Sequence, residues 1–541
     1  MAAATAETMN NPHYPNGYRG RSPVIATGAM ACTSQPMATQ TALQILRDGG
    51  NALDAAIAAS ATLAVVESYS TGIGGDCFIL YHENATGRLH ALNGSGRAPA
   101  AAGIAELRAR GYRTMPDQGI LSVTVPGAVD AWHTANTALG RLPFADLLAP
   151  AIHYARHGYA VTPVIAHHWQ ACEQRLAATP EAAKAYLIDG KAPAAGTVHS
   201  QPDLAASLQL IADQGRDAFY HGDIAREIVR YSDTLGGLLS LDDFANHTAE
   251  WVTPVSTEYR GARICQIPPN SQGITVLMAL NILAQTEVAR HTHLSANHIH
   301  LLSEAFTLAM AERDRFVSDS AFNSLPVDQL CSTALARKQF ARIAMHRAMN
   351  PPAASALPIH KDTVYLSVVD RERNACSLIN SVFYSFGSGL VAGNTGINLQ
   401  NRGGGFRLDD GHFNRLEGGK RPLHTLIPAM AYRQGRPVLS FGVMGGQYQA
   451  MGQLYLLSNW LDYHMDIQQA LDAPRFFALN GELSLEHGIP DATAAALAQR
   501  GHSVSTGAEP HGGGQAIMID WERGVLHGGS DPRKDGHAGG F

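Results

Sequence analysis

The spacing of hydrophobic positions changes several times along the chain, and each change predicts an element. In "MATQTALQILRDGGNALDAAIAASATLAVV" (37–66), Ala42, Ile45 and Leu46 make a stripe at helical spacing. Gly49-Gly50 then supplies a stop, and Asn51, a good N-cap residue, starts a second helix. Residues 71–99 read as a glycine loop, a strand, a turn at Thr86-Gly87 and a second strand. Helical, alanine-rich faces fill most of 125–230, and a helix over 295–316 sets Leu302, Ala305, Phe306 and Ala309 on one side. A Pro- and Ala-rich linker (348–362) follows. Beyond it "TVYLSVV" alternates as a strand, "DRERN" (370–374) turns, and a second strand returns. Helices and strands mixed in this way predict an α/β fold in layers, one composite domain rather than two independent ones.

Composition narrows the function classes. Of 541 residues, 45% are hydrophobic and 16% charged, and the net charge is −6, so no basic stripe offers itself to nucleic acid or an anionic membrane. The 6 cysteines are scattered without a C-x-x-C pair, which suits reduced core thiols. Residues 1–22 form a polar leader lacking the basic and apolar regions of a secretory signal, and the apolar run 55–66 is too short to span a bilayer. A cytoplasmic protein is expected. "GIGGDC" is not a dinucleotide loop, because Cys77 stands where a third glycine belongs and a strand follows instead of a helix. In "HTHLSANHIH" (291–300), His298 and His300 leave a helix on nearly opposite sides and cannot share a metal from there, so these histidines read as surface or capping residues. No metal ligands and no cofactor are expected.

The hairpin after the linker carries the chemistry. Pairing Asp370 with Asn374 centres it on Glu372 and places Thr363 directly across from Ser381, at the roughly 4.5–5.5 Å Cβ separation of opposed residues. A linker is a place to cut, and a cut between Asp362 and Thr363 makes Thr363 a new N-terminus. Its hydroxyl would attack the Asp362 carbonyl, shift the acyl group from N to O, and leave a free α-amine once water opens the ester. That amine, with an intrinsic pKa of about 7.7–8.0, can act as general base for its own hydroxyl. In "FGVMGGQ" (441–447), Gly445-Gly446 follows an apolar strand and can turn successive N–H groups towards one oxyanion. "DAPRF" (472–476) and the C-terminal "SDPR" (530–533) are distinctive strings with no mechanism of their own.

Together with "GGNALDAAIAAS", "GIGGDCFILY", "FGSGLVAGNTGINLQN" and "KRPLHTLIPAM", these ordered strings resemble the γ-glutamyltransferase family of N-terminal-nucleophile hydrolases over nearly the whole chain. The resemblance implies a four-layer αββα sandwich built from two autoproteolytic fragments, 1–362 and 363–541, of one precursor. It implies Thr363 as nucleophile, Ser381 as its hydroxyl helper, and Gly445 and Gly446 as oxyanion donors. Those fragments are each other's partners, further pairing of heterodimers is left open, and the remaining partner is a small acidic amide.

Substrate recognition departs from the family pattern. Where the family places an Asn, a Gln and an Asp around a substrate α-amine, this chain has Phe383, Arg402 and Gly405. The family's Ser-Ser carboxylate clamp is His424-Thr425, and its carboxylate-binding Arg falls on Ser95, with Arg97 two residues later. A guanidinium repels an ammonium and pairs bidentately with a carboxylate. The acyl half should therefore be acidic, lack an α-amine and be small, with Arg402 as main contact and Arg97, His424, Thr425 and Phe383 around it. Oxamate amidohydrolases and glutaryl-type cephalosporin acylases fit that description, and oxamate is preferred. The alternatives are an ordinary γ-glutamyltransferase or glutathione hydrolase and, outside catalysis, a self-cleaved binding protein.

Overall fold

A computed structural model describes residues 20–350, 362–507 and 509–541. Most of the predicted leader and linker thus lies outside the described residues. The expected helices are present in α1 (Pro36–Arg47), α2 (Ala52–Val66), α3 (Phe144–His157), α4 (Pro202–Gln214) and α6 (Ala296–Phe316), and two helices that the sequence reading did not name join them, α5 (Gly273–Leu283) and α7 (Tyr448–Leu461). Asn51 caps α2 in a reciprocal box with Asp54, a device worth about 1 kcal/mol. Every residue of α2 is buried. Its Ala-rich sequence explains this, since small side chains all round let α1, α3 and the strands beneath approach closely.

Two seven-stranded sheets form the centre. Their strands are β1 (Val24–Ala26), β2 (Met30–Thr33), β3 (Asp76–Glu83), β4 (Arg88–Gly94), β5 (Glu250–Val252), β6 (Val255–Tyr259), β7 (Ala262–Gln266), β8 (Val364–Val369), β9 (Ala375–Ser381), β10 (Ala429–Arg433), β11 (Arg436–Met444), β12 (Gly513–Asp520), β13 (Val525–Ser530) and β14 (His537–Gly540). One sheet runs β1-β13-β12-β11-β10-β7-β6 and the other β14-β2-β8-β9-β3-β4-β5, antiparallel throughout. Both sheets interleave strands from before and after Thr363, so neither side of that residue holds a complete sheet.

Alternation along the strands sorts the core. Phe78, Leu80, Tyr365 and Ile379 of one sheet pack with Met430, Tyr432, Met444 and Ile517 of the other. The intervening Ile79, Tyr81, Val364, Leu366 and Leu378 face the opposite way into a cluster with α1 to α4. Ile264, Ala429, Leu439, Phe441 and Val443 do the same towards α5, α6 and α7. Thus β8 crosses β11 closely. The Ser367 and Ser440 hydroxyls are 2.5 Å apart, and a Cβ at Gly442 would lie 2.4 Å from the Tyr365 ring, so only glycine fits there. Because the strands run in opposite senses, the start of β8, just after Thr363, approaches the end of β11, where Gly445-Gly446 follows. Among the described residues no helix is long and apolar enough to cross a membrane, and all six cysteines are free thiols.

Candidate active site

The β8–β9 ladder runs from Val364↔Asn380 to Val369↔Ala375, the register expected of a hairpin centred on Glu372. Thr363 and Ser381, both fully buried, are the next residues beyond its Val364↔Asn380 pair. Thr363 Oγ1 is 3.2 Å from Ser381 Oγ and also donates to the carbonyl of Asp362. Ser381 Oγ lies 3.4 Å from the same carbonyl oxygen and accepts from the Phe383 amide at 2.9 Å. Among the described residues no imidazole or carboxylate hydrogen-bonds the Thr363 hydroxyl.

Gly445 (φ +118°) and Gly446 (φ +60°) form the turn from β11 into α7. The first angle is closed to side chains, and a Cβ there would also meet Gly512 Cα at 2.8 Å. A network holds this turn from behind. Gln272 Nε2 donates to the carbonyls of Gly446 at 3.3 Å and Thr425 at 2.9 Å. Gln272 Oε1 accepts from the fully buried Arg313 at 2.7 Å, and Arg313 also donates to Gln447 Oε1 at 3.0 Å. On the other side Arg475 pairs with Asp531, and Asp531 accepts from the Gly514 amide at 2.7 Å, which fixes the strand end that lies under Gly445. The strings "DAPRF" and "SDPR" are therefore two halves of one ion pair supporting the glycine turn.

A second buried cluster adjoins the hairpin. Arg402 is fully buried. Its Nη1 donates to Thr425 Oγ1 at 2.9 Å, its guanidinium lies 4.1 Å over the Phe383 ring, and its Nε and Nη2 have no hydrogen-bond partner among the described residues. Phe383 holds φ +84°, a strained backbone for an aromatic residue. Burial pushes the Arg402 guanidinium down to about 9, against the pull of Asp76, so it is a cation at neutral pH. Asp76 Oδ2 accepts from His424 Nε2 at 2.9 Å. Its Oδ1 takes the Gly96 amide (2.9 Å), the Gly127 amide (3.2 Å) and Gln400 Nε2 (2.8 Å). Burial opposes ionisation of Asp76, but His424 and then Arg402 outweigh it and hold the carboxyl below its usual range. The His424 ring is pushed down to about 4, by burial first and Arg402 second. Its Nδ1 accepts from the Leu426 amide at 3.3 Å, so the neutral Nε2–H tautomer faces Asp76.

The gamma-glutamyltranspeptidase family model matches residues 38–541. The chain belongs to that family. Members of the γ-glutamyltranspeptidase family are amide hydrolases of N-terminal-nucleophile character, and this chain is an enzyme of that kind. It is similar to the Glutathione hydrolase-like YwrD proenzyme of Bacillus subtilis, 41% identical over 528 residues, covering 96% of this chain and 99% of that one. It is also similar to the Oxamate amidohydrolase proenzyme of Klebsiella pneumoniae, 34% identical over 532 residues, covering 96% and 99%. Among solved structures, cephalosporin acylase from Bacillus halodurans matches with a TM-score of 0.92 at 39% identity, covering 98% of both chains.

Within this γ-glutamyltranspeptidase-family framework, the structure brings Thr363 and Ser381 together, and Arg402, Phe383 and Thr425 together with Asp76 and His424. Arg97 is engaged elsewhere. Its guanidinium lies 2.7 Å from Glu250, 3.6 Å from Asp319 and 3.1 Å from the Gly419 carbonyl. Ser95, at the family's arginine position, accepts from Asn270 at 3.0 Å. Sequence reasoning missed Asp76, Gln400, Gln272 and Arg313. The one local hint was Asp76, a charge in a glycine loop just before a strand, which marks the residue but not its role. One expectation is corrected: His293, His298 and His300 are buried, not surface residues, although His298 Nδ1 does cap the chain by accepting from the Leu294 amide at 3.1 Å.

Proposed function

We propose that this enzyme cuts itself between Asp362 and Thr363. It then hydrolyses, through an acyl-enzyme on Thr363, the amide of a small acidic acyl group that lacks an α-amine, with oxamate the first substrate to test. The two sheets and their flanking helices support reading the fold as the four-layer αββα sandwich, shared between fragments 1–362 and 363–541. In the precursor the Thr363 oxygen adds to the Asp362 carbonyl carbon, the C–N bond breaks to give an ester and a free amine, and water releases the Asp362 carboxylate. The freed α-amine starts near pKa 7.7–8.0, and burial disfavours its ammonium form. It accepts the Thr363 hydroxyl proton as that oxygen attacks the substrate amide, and the leaving amine or ammonia takes a proton. Ser381 orients the nucleophile, and the Gly445 and Gly446 amides face the developing oxyanion.

The observation that carries the specificity is the buried Arg402 cation with two unpartnered nitrogen atoms. A buried cation with open donors is costly unless something pairs with it, and a substrate carboxylate does so. Asp76 does not offer itself to a substrate ammonium, because four donors already occupy its oxygens. The test compares ammonia release from oxamate and longer dicarboxylate monoamides with cleavage of a γ-glutamyl anilide. The monoamides should be the better substrates, and a marked preference for the γ-glutamyl compound would overturn this reading in favour of glutathione-type hydrolysis.

Arg402→Ala should then lower kcat/KM by about ten- to a hundredfold, the equivalent of one charge-assisted contact at roughly 1.5–3 kcal/mol. Arg402→Lys should recover only part of that, since an ammonium cannot reproduce the planar fork. Equal activity of wild type and Arg402→Ala on the monoamides would place the acyl carboxylate elsewhere.

A further inference from the structure

The histidine-rich start of α6 belongs to a second cluster of titratable side chains, apart from the acyl-site residues. His300 and Glu304 are one turn apart on α6 and project from the same face. His502, in the turn between the helix Asp491–Gln499 and the strand Ser503–Thr506, reaches them from a distant part of the chain. Its Nε2 lies 2.8 Å from His300 Nδ1, and one ligand atom from each of the three side chains falls within 4.8 Å of the others. His300 Nε2 sits 3.2 Å from the Ala344 carbonyl. Donation there leaves the Nδ1 lone pair facing His502 and Glu304. Glu304 is only 3% exposed. It accepts the Met349 amide, and among the described residues no Lys or Arg forms an ion pair with it. Glu304 and His502 also line a cavity of about 350 Å³, bordered by Met310, Asp314 and Leu483, that none of the acyl-site residues lines.

We propose that His300 Nδ1, the Glu304 carboxylate and His502 Nε2 bind one divalent transition-metal ion of the zinc type, with its fourth position open to this cavity. Two imidazoles and one carboxylate, supplied in part by an i,i+4 helical pair, are a donor set that zinc accepts with one position left for water or a ligand. The Ala344 carbonyl orients the His300 ring, as outer-shell acceptors do for metal-binding imidazoles. A cation also pairs with a buried carboxylate that no Lys or Arg among the described residues balances. His300 and Glu304 precede Thr363 and His502 follows it, so the metal joins the two fragments across the proposed cut. That consequence rests on the cleavage reading; the binding itself does not.

Metal uptake by tag-free full-length protein tests this directly. Wild type should bind Zn²⁺ with one equivalent per chain more than His502→Ala or Glu304→Gln. Co²⁺ at that site should show ligand-field bands in the visible that both variants lack. Chelator should lower the thermal midpoint of wild type by several degrees and leave the variants unmoved, while amide hydrolysis continues in all three. Thr363→Ala, uncut, should take up the same extra equivalent, which separates the metal site from self-cleavage. If His502→Ala does not fold, the isosteric Glu304→Gln carries the comparison. Equal uptake by wild type and Glu304→Gln, or a wild-type Co²⁺ complex without those bands, would overturn the site and leave a His300–His502 hydrogen bond that braces the turn.

Discussion

Purified wild-type protein is expected to run as two fragments on a denaturing gel, the smaller beginning Thr-Val-Tyr, and Thr363→Ala as one inactive chain. Three observations motivate this. Thr363 immediately precedes β8, its hydroxyl contacts the carbonyl of the residue before it, and Ser381 shares that carbonyl at 3.4 Å. Removing a hydrolase nucleophile can cost as much as about 10⁶ in kcat, so residual turnover by Thr363→Ala should be undetectable in an ordinary assay. The alanine loses one hydroxyl from a buried strand end, which leaves the fold intact, and a circular dichroism spectrum matching wild type verifies that. Thr363→Ser keeps the oxygen and should still cut, more slowly. An intact wild-type chain with full activity would refute the N-terminal-nucleophile mechanism for this protein.

How far the sequence foretold the site follows from the range of each interaction. The Thr363–Ser381 pair was readable because hairpin register is local, and one turn decides which residues meet. The Asn51 cap and the α6 boundaries were readable for the same reason. Asp76, Gln272 and Arg313 were not, because their roles are set by partners hundreds of residues or several elements away. Arg313 looks like an ordinary basic residue in the last turn of α6, yet it is fully buried between Gln272 and Gln447. His298 and His300 were misread by a sound rule applied too narrowly. They cannot share a ligand with each other, but each has its own partner, at the buried Leu294 and at the half-buried His502. The sequence ranked Arg402 ahead of Arg97 on its position in the family pattern alone, without any knowledge of burial or partners. Only the structure shows one balanced by Glu250 and the other with two nitrogens that have no hydrogen-bond partner among the described residues.

The glycine turn gives the second large effect. Removing one preorganised oxyanion donor typically lowers kcat by about 10²–10³. Gly446 at φ +60° sits in the left-handed region, where an L-residue costs about 1–2 kcal/mol, so Gly446→Ala should fold while its amide swings off target. Gly445→Ala is harsher, because φ +118° and the Gly512 contact at 2.8 Å both oppose it, and it should also impair maturation. The turn opens α7, whose N-terminal dipole adds to the field at the oxyanion. Loss of direction in one amide therefore falls on the chemical step and leaves acyl-group binding to Arg402. The measurement is single-turnover acylation of the matured Gly446→Ala enzyme, with the monoamide KM recorded alongside. Acylation should slow about 10²–10³-fold with KM little changed. If Gly446→Ala matures and acylates at the wild-type rate, the oxyanion is held by other donors and the assignment of this turn fails.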